Sequence, residues 1–100
     1  MEKKAQREPI SDVLVAVYHT LLRYWISRGV TKEKAEDLAQ EGLLKCLQKA
    51  SQWKGKASLK TFLTAVGKNA GRDFLRKEAR QERIKQRVSE LVGSPEDDGL

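Results

Sequence analysis

The chain has 100 residues, 39% of them hydrophobic and 34% charged, which is typical of one small helical domain with a modest core. It contains one cysteine and no apolar run long enough to cross a bilayer, which excludes an internal disulfide, a cysteine-based metal site and an apolar membrane span. The formal net charge is +6, but residues 52–87 alone carry +8, from eleven basic and three acidic side chains. This charge predicts a polyanionic partner, with nucleic acid ahead of an anionic membrane; the alternative is a solvated helix face.

The first predicted helix covers residues 12–28 and follows a polar segment, 1–10, that we expect to be flexible. Ser11 is predicted to cap this helix, and Asp12 is favourable in its first turn. Gly29 is a natural C-terminal stop. An apolar stripe at helical spacing contains Leu14, Tyr18, Leu21, Leu22 and Trp25.

Thr31 is predicted to cap a second helix over residues 32–50. Its core face contains Ala35, Leu38, Ala39, Gly42 and Cys46, and Leu43 is a further candidate. Beside that face, a second strip of residues at spacings of three and four contains Asp37, Gln40, Glu41 and Leu44. Because Leu44 and Leu47 lie off the core stripe, we expect this helix to contact something on two sides. Cys46 is predicted to be a packing residue.

A loop containing Trp53 comes next, and Ser58 is predicted to cap a third helix. The apolar stripe of this helix contains Leu59, Phe62, Leu63, Val66, Ala70 and Phe74. Gly67 and Gly71 would allow close approach of another helix or of a nucleic-acid backbone. From residue 76 the core stripe stops, and Ile84, Val88 and Leu91 resume only a weak one. The basic segment 76–87 therefore either projects beyond the core or belongs to a short fourth helix that docks back.

The predicted fold is therefore all-α, a compact bundle of three main helices with a fourth C-terminal helix as an option, over residues 11–92. Residues 93–100 are expected to form an acidic flexible tail or the start of a linker.

No catalytic constellation is present in the sequence. His19 is the only histidine and lies among apolar residues, where a packed or half-exposed structural role is expected. The acidic residues of the second helix have no histidine or second acidic cluster beside them to form a metal site, and no phosphate-binding loop is present. We expect no enzyme, no metal, no cofactor, no small-molecule substrate and no membrane partner. The polar N-terminus has no signal-peptide pattern, which predicts a cytoplasmic protein.

Two blocks of residues carry a resemblance to a known family. The first is Asp37-x-x-Gln40-Glu41, followed by helical leucines. The second is Ser58-Leu59-Lys60-Thr61-Phe62-Leu63, then Lys68-Asn69, then Asp73-x-x-Arg76 and Arg80. In order and spacing they resemble region 2 of bacterial RNA polymerase sigma factors, in particular the compact extracytoplasmic-function group, over residues 12–80.

The resemblance implies a polymerase contact on the second helix. In the family, the acidic and amide side chains of the first block dock on the coiled-coil clamp helices of the largest polymerase subunit. Here that contact falls on Asp37, Gln40 and Glu41, with Leu44 and Leu47 as its apolar part.

The resemblance also implies that the third helix and its preceding loop recognise the promoter minus-ten element and capture a flipped base of the non-template strand. The implied loop residues are Trp53, Lys54 and Lys56, and the implied helix residues are Lys60, Phe62, Lys68, Asn69, Arg72, Arg76, Lys77 and Arg80. Asn69 and Arg72, three apart, suit the edges of adenine and guanine. The basic residues Lys68, Arg76, Lys77 and Arg80 suit phosphates.

The sequence departs from the family pattern in three places. Phe62 replaces the usual tryptophan, and Ala65 and Val66 stand where housekeeping sigma factors have an aromatic wedge, which implies weak melting ability. Nothing after Arg87 supplies the second DNA-binding domain, region 4. The chain is then either the first domain of a longer factor or a protein with region 2 only.

Three alternatives remain open from the sequence. One is a regulator with region 2 only that occupies RNA polymerase without promoter specificity. Another is a simple nucleic-acid-binding helical module. The third is an interaction domain that binds an anti-sigma factor or forms a homodimer.

Overall fold

The computed structural model describes residues 10–93, which form three α-helices and one short 3₁₀ turn. The helices are α1 (Ile10–Ser27), α2 (Lys32–Lys49) and α3 (Leu59–Val92), and the 3₁₀ turn (Ala50–Gln52) directly follows α2. This part of the chain contains no strand, so the predicted all-α fold is confirmed. No helix within it is both long and apolar enough to cross a membrane. The predicted flexible N-terminus, apart from Ile10, and the predicted acidic tail, apart from Gly93, lie outside the described residues.

The helix α1 already includes Ile10, the first described residue, so that Ser11 lies inside the helix and does not cap it at the predicted position. Ile10 is in phase with Val13 and Val17 but is 49% exposed. The buried residues of α1 are Val13, Val17, Leu21 and Trp25, whereas the predicted members Leu14, Tyr18 and Leu22 are only partly buried. The prediction of the helix is therefore confirmed, but its buried face is centred on Val13, Val17, Leu21 and Trp25, and the predicted stripe included their neighbours.

The helix α2 follows the prediction closely. The Thr31 side chain accepts a hydrogen bond from the backbone N–H of Lys34 at 3.1 Å, and Gly29 precedes it at φ +95°, where a glycine is favoured. All five predicted core positions of α2 are buried: Ala35, Leu38, Ala39, Gly42 and Cys46. The Cys46 thiol donates to the Leu63 carbonyl oxygen at 3.2 Å, which confirms the predicted packing role.

Three glycines on α2 and α3 allow the helices to approach closely. A Cβ at Gly67 would lie 2.5 Å from Leu21 Cδ1, and one at Gly42 would lie 2.8 Å from the same atom and 3.1 Å from the Gly67 backbone. A Cβ at Gly71 would lie 2.5 Å from the indole of Trp25. Of the two partners predicted for Gly67 and Gly71, another helix or a nucleic-acid backbone, the structure provides the helix, α1.

The helix α3 is a single helix of 34 residues and is therefore about 51 Å long. The Ser58 side chain caps it by accepting from the Thr61 N–H at 3.0 Å, as predicted. Its last half-buried core contact is Glu78, whose carboxylate accepts two bonds from the Lys34 ammonium at 2.7 and 2.8 Å. Every residue from 79 to 92 is exposed, so the basic segment projects beyond the core and the optional fourth helix is not formed in the described part of the chain.

Candidate functional site

The outward surface of α2 carries the residues of the first sequence block. Asp37, Gln40 and Leu44 are exposed, and Leu47 lies at the border of the same face. Leu44 is 55% exposed and Leu47 is 60% exposed, although the other long apolar side chains of α2 are buried or partly buried. A helix with a complete core face and two further exposed leucines therefore offers an apolar contact to another molecule. We call Asp37, Gln40, Glu41, Leu44 and Leu47 the α2 surface.

Glu41 differs from the rest of the α2 surface because it is half-buried. It lies with Leu44 in a shallow groove between α2 and α3. The wall on α3 includes Asp73, Phe74 and Lys77. Lys77 was predicted to bind DNA phosphates, but the structure places it in this groove beside the predicted polymerase residues.

A hydrogen bond from the Trp53 side chain connects the two ends of the loop before α3. The Trp53 indole N–H donates to the Ala57 carbonyl oxygen at 2.7 Å, and Gly55 adopts φ +80° at the turn. The Trp53 side chain is 40% exposed, and Lys54 and Lys56 are exposed on either side of the glycine. The loop therefore presents one aromatic side chain and two cations, which is a combination that holds single-stranded nucleic acid.

The start of α3 continues the surface of this loop. Phe62 is half-buried and packs against the main core cluster, so only part of its ring is available for stacking. A shallow depression next to it is lined by Lys60, Thr61, Thr64, Ala65 and Lys68. Two lysines and two hydroxyl groups give this depression donors for phosphate or base oxygens.

The middle of α3 meets α1 in a cluster of cations around one tyrosine. The Arg72 guanidinium donates to the Asn69 side-chain oxygen at 2.7 Å and to the Tyr24 hydroxyl at 3.3 Å. The Lys68 ammonium lies 4.3 Å, and the Arg28 guanidinium 4.5 Å, from the centre of the Tyr24 ring. Asn69 and Arg72 thus lie side by side, as predicted, but part of the Arg72 donor capacity is already used within the protein.

Sequence reasoning missed the two α1-side members of this cluster, Tyr24 and Arg28. Their spacing of four residues at the end of α1 was a usable signal, because it brings the two side chains together. Burial raises the pKa of the Tyr24 phenol, but the hydrogen bond from Arg72 and the charges of Arg28, Arg72 and Lys68 outweigh it and hold that pKa below its usual value. The lowered pKa is the electrostatic result of three cations around one phenol.

The remaining predicted DNA residues lie further along α3. Arg76 forms an exposed ion pair with Asp73, three residues earlier, so its charge is partly balanced within the protein. Arg80 is exposed at the start of the projecting segment, which also carries Arg83, Lys85 and Arg87. These three side chains were absent from the predicted site, although their charges were part of the basic segment that suggested nucleic acid.

The remaining titratable side chains considered from the sequence do not build a further site. Burial raises the pKa of the Cys46 thiol to about 11, so the thiol is neutral near pH 7. His19 is exposed, and its ring contacts Tyr18 edge-on at 5.6 Å between centroids. Within residues 10–93, no group of three or more His, Cys, Asp and Glu side chains is arranged to hold a metal ion.

A family model, Sigma-70 region 2, matches residues 10–81 of the chain. The chain belongs to the Sigma-70 region 2 family. No curated protein and no solved structure matches the chain. The matched residues contain α1, α2 and most of α3, and therefore both the α2 surface and the loop with the cation cluster. The recognition made from the two sequence blocks is confirmed at the level of region 2.

Membership in this family gives the chain a function class. Region 2 belongs to a non-catalytic transcription factor, and its role is in RNA polymerase binding and promoter recognition. The match ends at residue 81, so the last eleven residues of α3, 82–92, lie beyond it.

Proposed function

We propose that the chain binds the clamp helices of core RNA polymerase through the α2 surface and recognises the promoter minus-ten element through α3 and its preceding loop. The observation that carries this proposal is the region 2 match, which spans both surfaces. The two surfaces also differ in chemistry, since one combines carboxylates with exposed leucines and the other combines cations with an aromatic side chain.

The polymerase contact is supported by what α2 leaves exposed. Asp37 and Gln40 can form charge-assisted and neutral hydrogen bonds to basic side chains of a partner helix. Leu44 and Leu47 supply apolar area, and the groove that contains Glu41 can accept a side chain between α2 and α3. Hydrogen bonds that fix geometry around an apolar contact are typical of a specific protein interface.

The DNA contact is supported by the loop and the depression beside it. Flipping a base costs a few kcal/mol, which a preformed surface must offset. The indole bond to Ala57 holds the loop in shape before DNA arrives, and Lys54, Lys56 and Lys60 supply positive charge around it. Asn69, whose side-chain oxygen accepts from Arg72, then presents its amide N–H groups toward base edges, and Arg80 binds backbone phosphate.

The absence of an aromatic wedge fits the extracytoplasmic-function group. Ala65 is exposed and lines the depression, whereas Val66 packs against the core. Neither side chain can stack on a base pair at the fork, so melting relies on the captured base and on phosphate contacts. We infer that this domain needs a well-matched promoter.

The polymerase half is tested by capture of core RNA polymerase, or its isolated clamp-helix fragment, on the immobilised chain. The triple variant Asp37→Ala, Gln40→Ala, Glu41→Ala is expected to lose the binding that the wild type shows. A matched control is the triple variant Glu82→Ala, Gln86→Ala, Glu90→Ala, because it also removes two carboxylates and one amide from exposed helix positions. Wild-type binding that survives in the α2 triple variant, or that the control also abolishes, contradicts the proposed contact.

A further inference from the structure

The contact between α1 and α3 contains more positive charge than its own side chains balance. Arg28, Lys68 and Arg72 all contact Tyr24, and the two groups over its ring lie within 4.5 Å of its centre. Among residues 10–93 the ion pairs are Lys34 with Glu78 and Asp73 with Arg76, and none of them includes a member of this cluster. Three cations are therefore held together by one aromatic ring and one hydroxyl group, without a carboxylate between them.

Three cations without a carboxylate between them favour the binding of an anion from another molecule. Cations that are close together repel one another, and an anion placed among them removes that repulsion and gains attraction from each. Cation–π contacts keep the side chains in place without neutralising them. Were the cluster only a structural tether between α1 and α3, one cation and the phenol would suffice for it.

We propose that Arg28, Lys68 and Arg72 form a clamp for a nucleic-acid backbone phosphate, and that Tyr24 is the positioning residue that holds the three cations in place. The proposal deepens the proposed function and rests on it. It adds α1 to the DNA surface, because Tyr24 and Arg28 belong to the end of α1 and the turn after it.

A backbone phosphate fits this cluster better than a protein carboxylate or a free anion. Lys68 also lines the depression that begins at Lys60, and Arg72 is hydrogen-bonded to Asn69, so the clamp is continuous with the proposed base-reading surface. Guanidinium groups match phosphate oxygens in geometry as well as charge. A strand seated in the depression would contact Lys68, which belongs to both the depression and the clamp.

The role of Tyr24 follows from the contacts that its ring and hydroxyl group already make. Its ring contacts two cations and the edge of Trp25, and its hydroxyl group accepts from Arg72. The ring is therefore committed to holding cations and not to stacking on a base. Tyr24→Phe keeps the cation–π contacts and removes the hydrogen bond from Arg72, whereas Tyr24→Leu removes both.

The test is the salt dependence of DNA binding by the full chain. The probe is a fluorescent forked oligonucleotide, part duplex and part single strand, and binding is followed by anisotropy with and without core RNA polymerase. Each phosphate that the protein no longer binds lowers the slope of log affinity against log salt by about 0.7 for single strands and about 0.9 for duplex. Arg28→Ala leaves Lys68 and Arg72 in place and is expected to lower the slope measurably, by at most about that amount, and Arg28→Lys is expected to restore most of the loss.

The matched control is Arg23→Ala, which removes an exposed arginine five residues before Arg28 and outside the cluster. An equal change of slope in Arg23→Ala and Arg28→Ala overturns the clamp, because the effect is then one of general charge. No change of slope in Arg28→Ala also overturns it. Tyr24→Leu is expected to reduce affinity at low salt more than Tyr24→Phe does, with the helical circular dichroism signal retained in both.

A second arm distinguishes the strand that supplies the phosphate. An uncharged methylphosphonate linkage is placed at one position at a time in the duplex or in the single-stranded part of the probe. When the uncharged linkage replaces the phosphate that the clamp contacts, wild type and Arg28→Ala are expected to bind that probe with equal affinity. If no position in either part of the probe gives this result, the clamp is wrong. Slope loss in Lys60→Ala but not in Arg28→Ala removes the clamp and keeps the proposed function, whereas no DNA binding by the wild type under either condition removes both.

Discussion

At the scale of single residues, Gly67 sets the distance between α1 and α3. Gly67→Ala gains about 1 kcal/mol in helix propensity. However, the added Cβ would lie 2.5 Å from Leu21 Cδ1 and 3.3 Å from Leu21 Cγ, so the whole side chain of a fully buried leucine would have to move. Overpacking of this kind costs about 1–3 kcal/mol. We expect Gly67→Ala to lower the free energy of unfolding, measured by urea denaturation.

The control for this substitution is Gln86→Ala in the exposed part of α3, where added helix propensity meets no neighbour. It is expected to change the free energy of unfolding by no more than about 0.5 kcal/mol. If Gly67→Ala were as stable as the wild type or more stable, the close approach of Leu21 to this glycine would not constrain the packing of the core.

Some residues of the candidate site can be predicted from spacing within one helix, whereas others depend on how two helices pack. The spacing of Asp37, Gln40 and Glu41 placed them on one side of α2 without any knowledge of the fold, since a helix has a fixed period. The cluster around Tyr24 needs α1 and α3 to meet, and no pattern within one helix contains that contact. Lys77 shows the same limit, because only the packing of α2 against α3 places it in the groove with Glu41.

At the scale of the elements, α3 has two halves with different sources of stability. The first half packs against α1 and α2, whereas residues 79–92 are all exposed. An isolated helix of that length is marginal in water, since about 12–15 residues are needed even for a favourable sequence. The packed half supplies the costly first turn, and the projecting segment extends it one residue at a time.

We expect Gln86→Pro to disrupt the projecting segment without unfolding the core. The proline removes a helix hydrogen bond and clashes with the preceding turn, so the helical circular dichroism signal should fall, whereas the thermal midpoint should stay unchanged. The matched variant Ala70→Pro lies in the packed half and is expected to cost about 3 kcal/mol or more. A lowered midpoint in Gln86→Pro would mean that the projecting segment contributes to the stability of the core.

The helix boundaries show which sequence features are sufficient to predict where a helix starts or ends. The caps Thr31 and Ser58 fixed the starts of α2 and α3, because each side chain satisfies a backbone N–H that the helix leaves free. Ser11 has the same chemistry but lies inside α1, which already includes Ile10. The continuity of α3 beyond residue 76 stayed open because the weak apolar stripe of Ile84, Val88 and Leu91 suits a helix that docks back, whereas in the structure all three side chains are exposed.

At the scale of the whole molecule, the positive charge is concentrated in the segment that forms the proposed DNA surface and is separate from the α2 surface. The chain carries +6, of which residues 52–87 contribute +8, residues 1–51 contribute +2 and residues 88–100 contribute −4. Only one ion pair, between Lys34 and Glu78, connects two helices within residues 10–93, and both of its side chains are partly exposed. Exposed pairs contribute about 0–1 kcal/mol, so the fold rests on apolar packing and the surface charge remains available for binding.

This division predicts that polymerase binding and DNA binding can be removed separately. The triple variant Lys54→Ala, Lys56→Ala, Lys60→Ala is expected to lower the salt slope of single-stranded DNA binding by about 0.7 for each phosphate that these lysines bind, and to keep polymerase capture. The α2 triple variant is expected to lose polymerase capture and to keep the salt slope of DNA binding. Both substitution sets lie at exposed or half-buried positions, so the thermal midpoint should stay close to that of the wild type.

The outcome also separates a promoter-recognising domain from a regulator that only occupies the polymerase. Complexes of the chain with core polymerase are offered a pool of random forked DNA, and the bound fraction is sequenced. Enrichment of one minus-ten sequence is expected for promoter recognition; because sequence is read at base edges while phosphates only position the protein, the lysine variant should bind less DNA and keep the same preference. Polymerase capture without any enrichment contradicts it, since the basic loop and α3 would then bind nucleic acid through charge alone.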